Sequence, residues 1–201
     1  MEFVKEFATF LYNKEIIKFG DYTLASGKKS PYYVDLRLVP SYPIEFRKMV
    51  KYLENMIVQE IGLDNFDSIV SVPTGGLVIA SALAIETARP LIYVRSKPKD
   101  YGTTKSVEGE IHDGMTVVMI DDVATTGGSV VNAIKSLKEA KISVKDAYVI
   151  VDRMEGADKA MLELDVKMHS VLNILQITEA LYDQNIVDGN VLAKIKNQIN
   201  K

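Results

Sequence analysis

The chain has 201 residues, 47% of them hydrophobic, which suits one domain with a real core and perhaps a small extra lobe. A net charge of -3 argues against nucleic acid as the main partner. The absence of cysteine rules out disulfides and thiolate catalysis and fits a reducing cytoplasm. The N-terminus, Met1 to Glu6, is amphipathic and carries acids, unlike a signal peptide, and apolar runs such as Leu77 to Leu83 are too short to cross a membrane. His112 and His169 are remote from each other in sequence and make a poor metal site.

Phe3, Phe7, Phe10 and Leu11 recur at helical spacing and predict a helix with one apolar face, its aromatics in the core. Residues 16 to 35 read as two short strands about a turn at Ser26-Gly27. The basic pair Lys28-Lys29 with Tyr32 and Tyr33 suits an anionic planar ligand or a plain exposed hairpin, and spacing alone favours the hairpin. Residues 44 to 61 form a helix with Phe46, Met49, Val50, Leu53 and Ile57 on one stripe. Asp67 to Pro73 is a buried strand that ends at Thr74-Gly75-Gly76, with a small-residue helix from Leu77 to Glu86. Strand, small loop and helix in that order make an anion cradle, and the glycines allow close backbone approach.

Leu91 to Arg95 is a third strand. The stretch Ser96 to Gly109 has no apolar periodicity and, with Arg95, gathers four cations (Arg95, Lys97, Lys99, Lys105). A polar segment of this length is either a mobile basic flap over a site or a solvated loop.

The most informative stretch runs from Val117 to Ser129. Val117 to Ile120 predicts a buried parallel strand that ends abruptly at Asp121 and Asp122. After Val123 and Ala124 comes a loop without bulky side chains, Thr125-Thr126-Gly127-Gly128-Ser129, and then a helix marked by Val130, Ala133, Ile134 and Leu137. Such a loop can close its N–H groups and hydroxyls on a phosphate over the positive end of the helix. The two acids suit ribose hydroxyls, a developing cationic carbon or a magnesium ion through water, so a ribose phosphate fits better than bare phosphate. A Walker loop would need Lys where Gly128 stands, and the Gly-x-Gly-x-x-Gly fingerprint follows no predicted strand.

Asp146 to Arg153 is a further buried strand ending in Asp152-Arg153, residues 166 to 177 are strand-like, and residues 178 to 199 read as helices. Strands alternating with helices imply an α/β fold with a mostly parallel sheet and right-handed crossovers. Thr74-Gly75-Gly76, Arg95 with its flap, Asp121 to Ser129 and Asp152-Arg153 then meet at one sheet edge. Two cradles and a cationic flap fit a substrate with phosphate at both ends and a ribose between.

The Val117–Ser129 stretch resembles the phosphoribosyl-diphosphate-binding motif of the type I phosphoribosyltransferases. Over nearly the whole chain, from Phe19 to about Ile177, the sequence is similar to the orotate phosphoribosyltransferase family. Lys18 to Leu24 and Ser26 to Tyr33 resemble that family's hood over the base, Arg95 to Gly102 its catalytic flap, and Asp152-Arg153 the strand end that meets the orotate carboxylate. The resemblance implies a single phosphoribosyltransferase domain over residues 1–201, with a hood at about 16–40 and a flap at about 96–109. It implies transfer of the phosphoribosyl group from phosphoribosyl diphosphate to orotate, giving orotidine 5′-phosphate and pyrophosphate in pyrimidine biosynthesis.

On this resemblance Asp121 and Asp122 contact the ribose hydroxyls and steady an oxocarbenium-like transition state, and Thr126 to Ser129 cradle the 5′-phosphate. Val123, Ala124 and Thr125 complete the phosphoribosyl diphosphate contacts, with Thr74, Gly75 and Gly76 on the pyrophosphate. Arg95 and Lys99 neutralise the pyrophosphate, joined by Tyr101, and Thr125, Arg153 and Tyr33 bind orotate. Mg²⁺ is carried by the diphosphate with few direct protein ligands. The family's flap reaches the other subunit's site, implying a homodimer in which Lys99 acts in trans. The sequence departs from common family residues at Ala25 (Lys), Ser96 (a second cation) and Tyr101 (His). A purine phosphoribosyltransferase and a non-catalytic sensor of phosphoribosyl diphosphate are the alternatives; Arg153 opposes the first and the acidic charge balance the second.

Overall fold

Apolar strands that end in small or acidic residues set the architecture, because each must be buried on both faces yet surrender its last residues to a loop. The computed structural model describes residues 2–23, 27–95 and 106–200. They divide into two units, one of Met1–Glu45 with Leu172–Lys201 and the other of Phe46–Val171.

In the first unit α1 (Glu2–Asn13) buries Phe7, Ala8 and Leu11, and Phe7 stacks between Phe3 and Phe10 at 5.3 and 5.7 Å. The anticipated hairpin is formed by β1 (Ile17–Thr23) and β2 (Lys29–Val34), paired antiparallel with Ile17 opposite Val34. A short 3-10 helix (Leu36–Ser41) follows, capped by the Asp35 carboxylate on the Arg37 N–H. Helices α6 (Ile174–Asp183) and α7 (Gly189–Ile199) complete this unit, with α6 packing on both α1 and α7. The sequence-based reading carried a strand to 177, but the chain turns helical at Ile174. Asn173 accepts from the Gln176 N–H at 2.8 Å while the Gln176 side chain accepts from the Asn173 N–H at 2.9 Å, a capping box that starts a helix outright.

The second unit holds most of the sheet. Helix α2 (Pro43–Glu60) leads into it and buries Met49, Val50, Leu53 and Ile57 of the expected stripe, with Phe46 half-buried. The strands are β3 (Ser68–Ser71), β4 (Leu91–Val94), β5 (Val107–Glu108), β6 (Thr116–Ala124), β7 (Ser143–Asp152) and β8 (Lys167–Asn173), in spatial order β5-β4-β3-β6-β7-β8. Three pairings, β3 with β4, β3 with β6 and β6 with β7, are parallel, and β5 lies antiparallel to β4. Helices α3 (Gly75–Thr87), α4 (Gly128–Glu139) and the short α5 (Ala157–Leu162) lie between them in sequence. Val130, Ala133, Ile134 and Leu137 of α4 are buried with Val117 and Met119 of β6 and Val144, Ala147 and Val149 of β7 in one core. The chain leaves β3 to one side for β4 and returns on its other side with β6, so the crevice at the carboxyl ends of β3 and β6 is a topological switch point, where open α/β sheets bind ligands.

Four further features differ from the sequence-based expectation. Strand β6 does not stop at Ile120: Asp121 to Ala124 continue the ladder because β7 runs on beside them, Val123 opposite Val151 and Ala124 opposite Asp152. Helix α3 starts at Gly75, so Gly75 and Gly76 are its first turn and not a loop before it. The polar segment after Arg95 closes with β5, whose two residues are too few to show a period. Helix α5 was not anticipated at all, being only six residues long. Among the described residues no helix is long and apolar enough to cross a membrane.

Neither histidine is near the sheet's carboxyl edge. His169 is buried, with its ring nitrogens 2.6 Å from Glu60 Oε2 and 2.8 Å from Asp146 Oδ1, and stacks on Tyr148 at 4.4 Å. The Tyr148 hydroxyl donates to Glu60 at 2.9 Å, and burial raises its pKa above the ordinary phenol range.

Candidate active site

The glycines that open α3 touch the acids of β6. A Cβ placed on Gly75 would overlap the Asp122 carboxylate, its Cγ only 2.5 Å away. One on Gly76 would stand 2.5 Å from Asp121 Oδ1, 2.8 Å from Ser71 Oγ and 2.9 Å from Asp121 Cα. Backbone and carboxylates thus approach as closely as atoms allow, which only glycine permits. Ser71, not singled out from the sequence because it sits in an apolar run, is fully buried and donates to the Ile120 carbonyl at 2.7 Å, tying β3 to β6 just below the acids.

Each acid accepts from the backbone N–H of the residue that follows it. The Asp122 N–H donates to Asp121 Oδ1 and the Val123 N–H to Asp122 Oδ1, both at 2.9 Å. Asp121 is 8% exposed, and burial, followed by the charge of Asp122, pushes its pKa up to about 8. Asp121 also lines a pocket of about 150 Å³ with Val123, Ala124, Thr125, Thr126, Gly127, Gly128, Ser129 and Val130. Gly127 has φ 77°, a left-handed conformation that favours glycine, and brings the chain round into α4.

The helix starts are informative. Helices α6 and α7 are capped by the side chains of Asn173 and Asp188. Helices α3 and α4 have Thr74 and Gly127 at that place, and neither start carries a side-chain cap. Their first N–H groups therefore suit an external anion, and the helix dipoles favour it. A phosphate beside each start, with the acidic pair of β6 against the first of them, would suit a doubly phosphorylated sugar.

Arg95 donates from its backbone to Ser106 and pairs through Nη1 with Glu108 Oε1 at 2.8 Å, so β5 holds the first cation of the basic segment. Arg153 is 5% exposed, with Nε and Nη2 each 3.0 Å from Glu155 Oε1. Asp152, at the same strand end, accepts from the Met154 N–H at 2.8 Å; burial, with the charge of Asp158, raises its pKa. Tyr33 belongs to the hairpin of the first unit, 37% exposed and 5.9 Å from the Tyr22 ring. Lys97, Lys99, Tyr101 and Lys105, with Ala25 and Ser96, lie outside the described residues. Among the described residues no group of three or more His, Asp or Glu side chains is arranged to hold a metal ion. The acidic pair offers carboxylate oxygens that fit a hard divalent cation held mainly by substrate phosphates and water.

Residues 45–178 match the phosphoribosyl transferase domain model. The chain is 45% identical over 196 residues to the orotate phosphoribosyltransferase of Cenarchaeum symbiosum, covering 98% of both proteins. The chain belongs to the orotate phosphoribosyltransferase family. The crystal structure of the family member from Aeropyrum pernix superposes with a TM-score of 0.76 at 33% identity, covering 87% of this chain and 98% of that one. Leishmania donovani UMP synthase gives a TM-score of 0.83 at 32% identity over 98% of this chain, which spans 42% of that longer protein. The α/β fold with its mostly parallel sheet is that of these orotate phosphoribosyltransferases.

Proposed function

We propose that this site transfers the phosphoribosyl group from phosphoribosyl diphosphate to orotate, in the pyrimidine pathway, with the residues acting as follows. The observation that carries the reading is the contact between the glycine start of α3 and the acids of β6, with the uncapped start of α4 beside them. The diphosphate lies on Thr74, Gly75 and Gly76, the ribose on Asp121 and Asp122, and the 5′-phosphate on Thr125 to Ser129, with Val123 and Ala124 beneath the sugar. Arg153 pairs with the orotate carboxylate, helped by Thr125, and Tyr33 is a further candidate for an orotate contact.

A ring nitrogen of orotate, its N–H proton given up to water, attacks the anomeric carbon as the carbon–oxygen bond to the diphosphate breaks. The electron pair leaves with pyrophosphate, and orotidine 5′-phosphate forms. No protein nucleophile or base is needed: the chain's residues hold the reacting atoms in line and balance charge as it moves. Positive charge on the ribose carbon meets Asp121 and Asp122. Negative charge on the departing diphosphate meets the N–H groups of α3, Arg95 and the flap cation Lys99, with Tyr101 beside them. Magnesium, if carried in on the diphosphate, would be within the chemistry of the Asp121 and Asp122 carboxylates and would supply charge neutralisation. The enzyme works as a homodimer in the cytoplasm, each flap serving its partner's site.

Lys99→Ala is expected to lower kcat by about 100-fold or more while orotate affinity changes little, because its charge matters most as pyrophosphate departs. Mixed Lys99→Ala and Asp122→Asn subunits, each nearly inactive alone, regain part of the activity if the flap acts in trans. Absence of recovery at equal expression and mixing would mean that each chain completes its own site. Turnover of orotate with none of adenine or hypoxanthine tests the base; purine turnover instead would remove Arg153 from base recognition.

A further inference from the structure

Beyond the phosphate motif, the turn between β7 and α5 is built around a second acid. Met154 takes a left-handed conformation at φ 58° and Gly156 one at φ 98°. The first is held by Asp152, which accepts from the Met154 N–H. At one end of this turn the Arg153 N–H donates to the Ala124 carbonyl at 2.9 Å, immediately before Thr125. At the other end Ala157 stands 3.3 Å from where a Cβ of Gly127 would lie. The turn is therefore pinned to the phosphate loop on both sides of Glu155. Glu155 and Arg153 side chains are each 6% exposed, and one carboxylate oxygen takes both Nε and Nη2 of the guanidinium at 3.0 Å.

We propose that Glu155 is a positioning residue for base recognition: it sets the Arg153 guanidinium against the phosphate loop before orotate arrives. The inference rests on Arg153 reading the orotate carboxylate. A free arginine side chain must give up rotamer freedom to form a charged pair, and a cation already clamped has given it up during folding. The clamp also ties the base subsite to the ribose 5′-phosphate subsite, because the same turn contacts Ala124 and Gly127. Glu155 itself touches no reacting atom.

Steady-state kinetics with both substrates tests this on Glu155→Ala, Glu155→Gln, Arg153→Ala and the Glu155→Ala/Arg153→Ala double variant. Loss of a buried charged hydrogen bond makes Glu155→Ala raise the orotate KM by about 10- to 100-fold, with kcat at saturating orotate and the phosphoribosyl diphosphate KM within about 3-fold of wild type. Glu155→Gln keeps an acceptor oxygen and recovers most of the orotate KM. In the Arg153→Ala background Glu155→Ala adds nothing, since the residue it acts through is gone. Equal losses for both substrates, or additive losses in the double variant, would overturn the inference and leave Glu155 a structural residue. If Glu155→Ala is too unstable to assay, Glu155→Asp carries the same test through its orotate KM alone. An unchanged orotate KM in Arg153→Ala would overturn the reading of Arg153, whereas a raised one with an unaffected Glu155→Ala overturns only the positioning role.

Discussion

Gly75→Ala is expected to remove most of the turnover while the protein still folds. In the first turn of an ordinary helix this change is mildly favourable, since alanine is the better helix former by about 1 kcal/mol. Here the new methyl overlaps the Asp122 carboxylate, so either the carboxylate or the start of α3 must move. Either movement separates the diphosphate cradle from the ribose acids. Overpacking of this kind costs roughly 1–3 kcal/mol of stability. The catalytic loss is larger, because misplaced reacting groups cost about 100-fold or more in rate. Gly128→Ala makes a useful comparison: its Cβ would meet nothing nearer than Thr126 Oγ1 at 4.0 Å, so stability is unaffected and any loss of activity reports contact with the bound phosphate. Wild-type kcat/KM in Gly75→Ala, measured beside a thermal melt, would show that the two cradles are not in register.

Asp121→Asn is expected to stabilise the protein at neutral pH while removing most of its activity. Burial lifts the Asp121 carboxyl from the ordinary 3.8 to about 8, so the folded chain holds this proton more tightly than the unfolded chain. Such a group contributes stability that is fully present below the ordinary carboxylate range and is lost as pH rises through about 8. At pH 7 most of that loss has occurred, and at about 1.4 kcal/mol per unit it amounts to a few kcal/mol. An asparagine has no proton to lose and keeps the oxygen that accepts from the Asp122 N–H. The expected gain is roughly 5–10 °C in Tm at pH 7, shrinking toward zero by pH 4. A pH series of melts on both proteins checks it: a gain that does not shrink in acid would place its origin in packing instead. The activity falls because the Asp121 carboxyl, mostly protonated in the free site at pH 7, can release its proton to water as positive charge gathers on the ribose carbon, whereas the amide cannot, a loss of about 100-fold by analogy with other electrostatic contacts. On the proposed reading, stability is given up to keep an acid dry beside the sugar.

Much of this was legible in the residues because different periods spoke for different elements. The stripe Val130, Ala133, Ile134 and Leu137 named α4 and its buried face without ambiguity, and all four are in the core. Asp121 to Ser129 suggested acids beside a phosphate loop because two carboxylates before five small residues suit a ribose phosphate better than an ordinary strand-to-helix turn whose acids cap the helix. What failed did so where hydrophobicity stops reporting hydrogen bonds. Asp121 and Asp122 look like the end of a strand, yet the ladder to β7 carries them on to Ala124. Gly75 and Gly76 look like a loop, yet they form a helix start whose side-chain space is filled by another strand's acids. Glu155 gave no signal, since a lone acid after Arg-Met matters only once the turn folds it back onto Arg153. The capping box at Asn173 and Gln176 was the one readable signal passed over, hidden by the apolar run around it.

The central claim, that the chain joins orotate to phosphoribosyl diphosphate, is tested most directly by following orotate absorbance on mixing with phosphoribosyl diphosphate and Mg²⁺, with and without the protein. The account predicts a protein- and magnesium-dependent loss of absorbance that added pyrophosphate reverses. Unchanged orotate absorbance, with turnover of a purine or of no base at all, would contradict it.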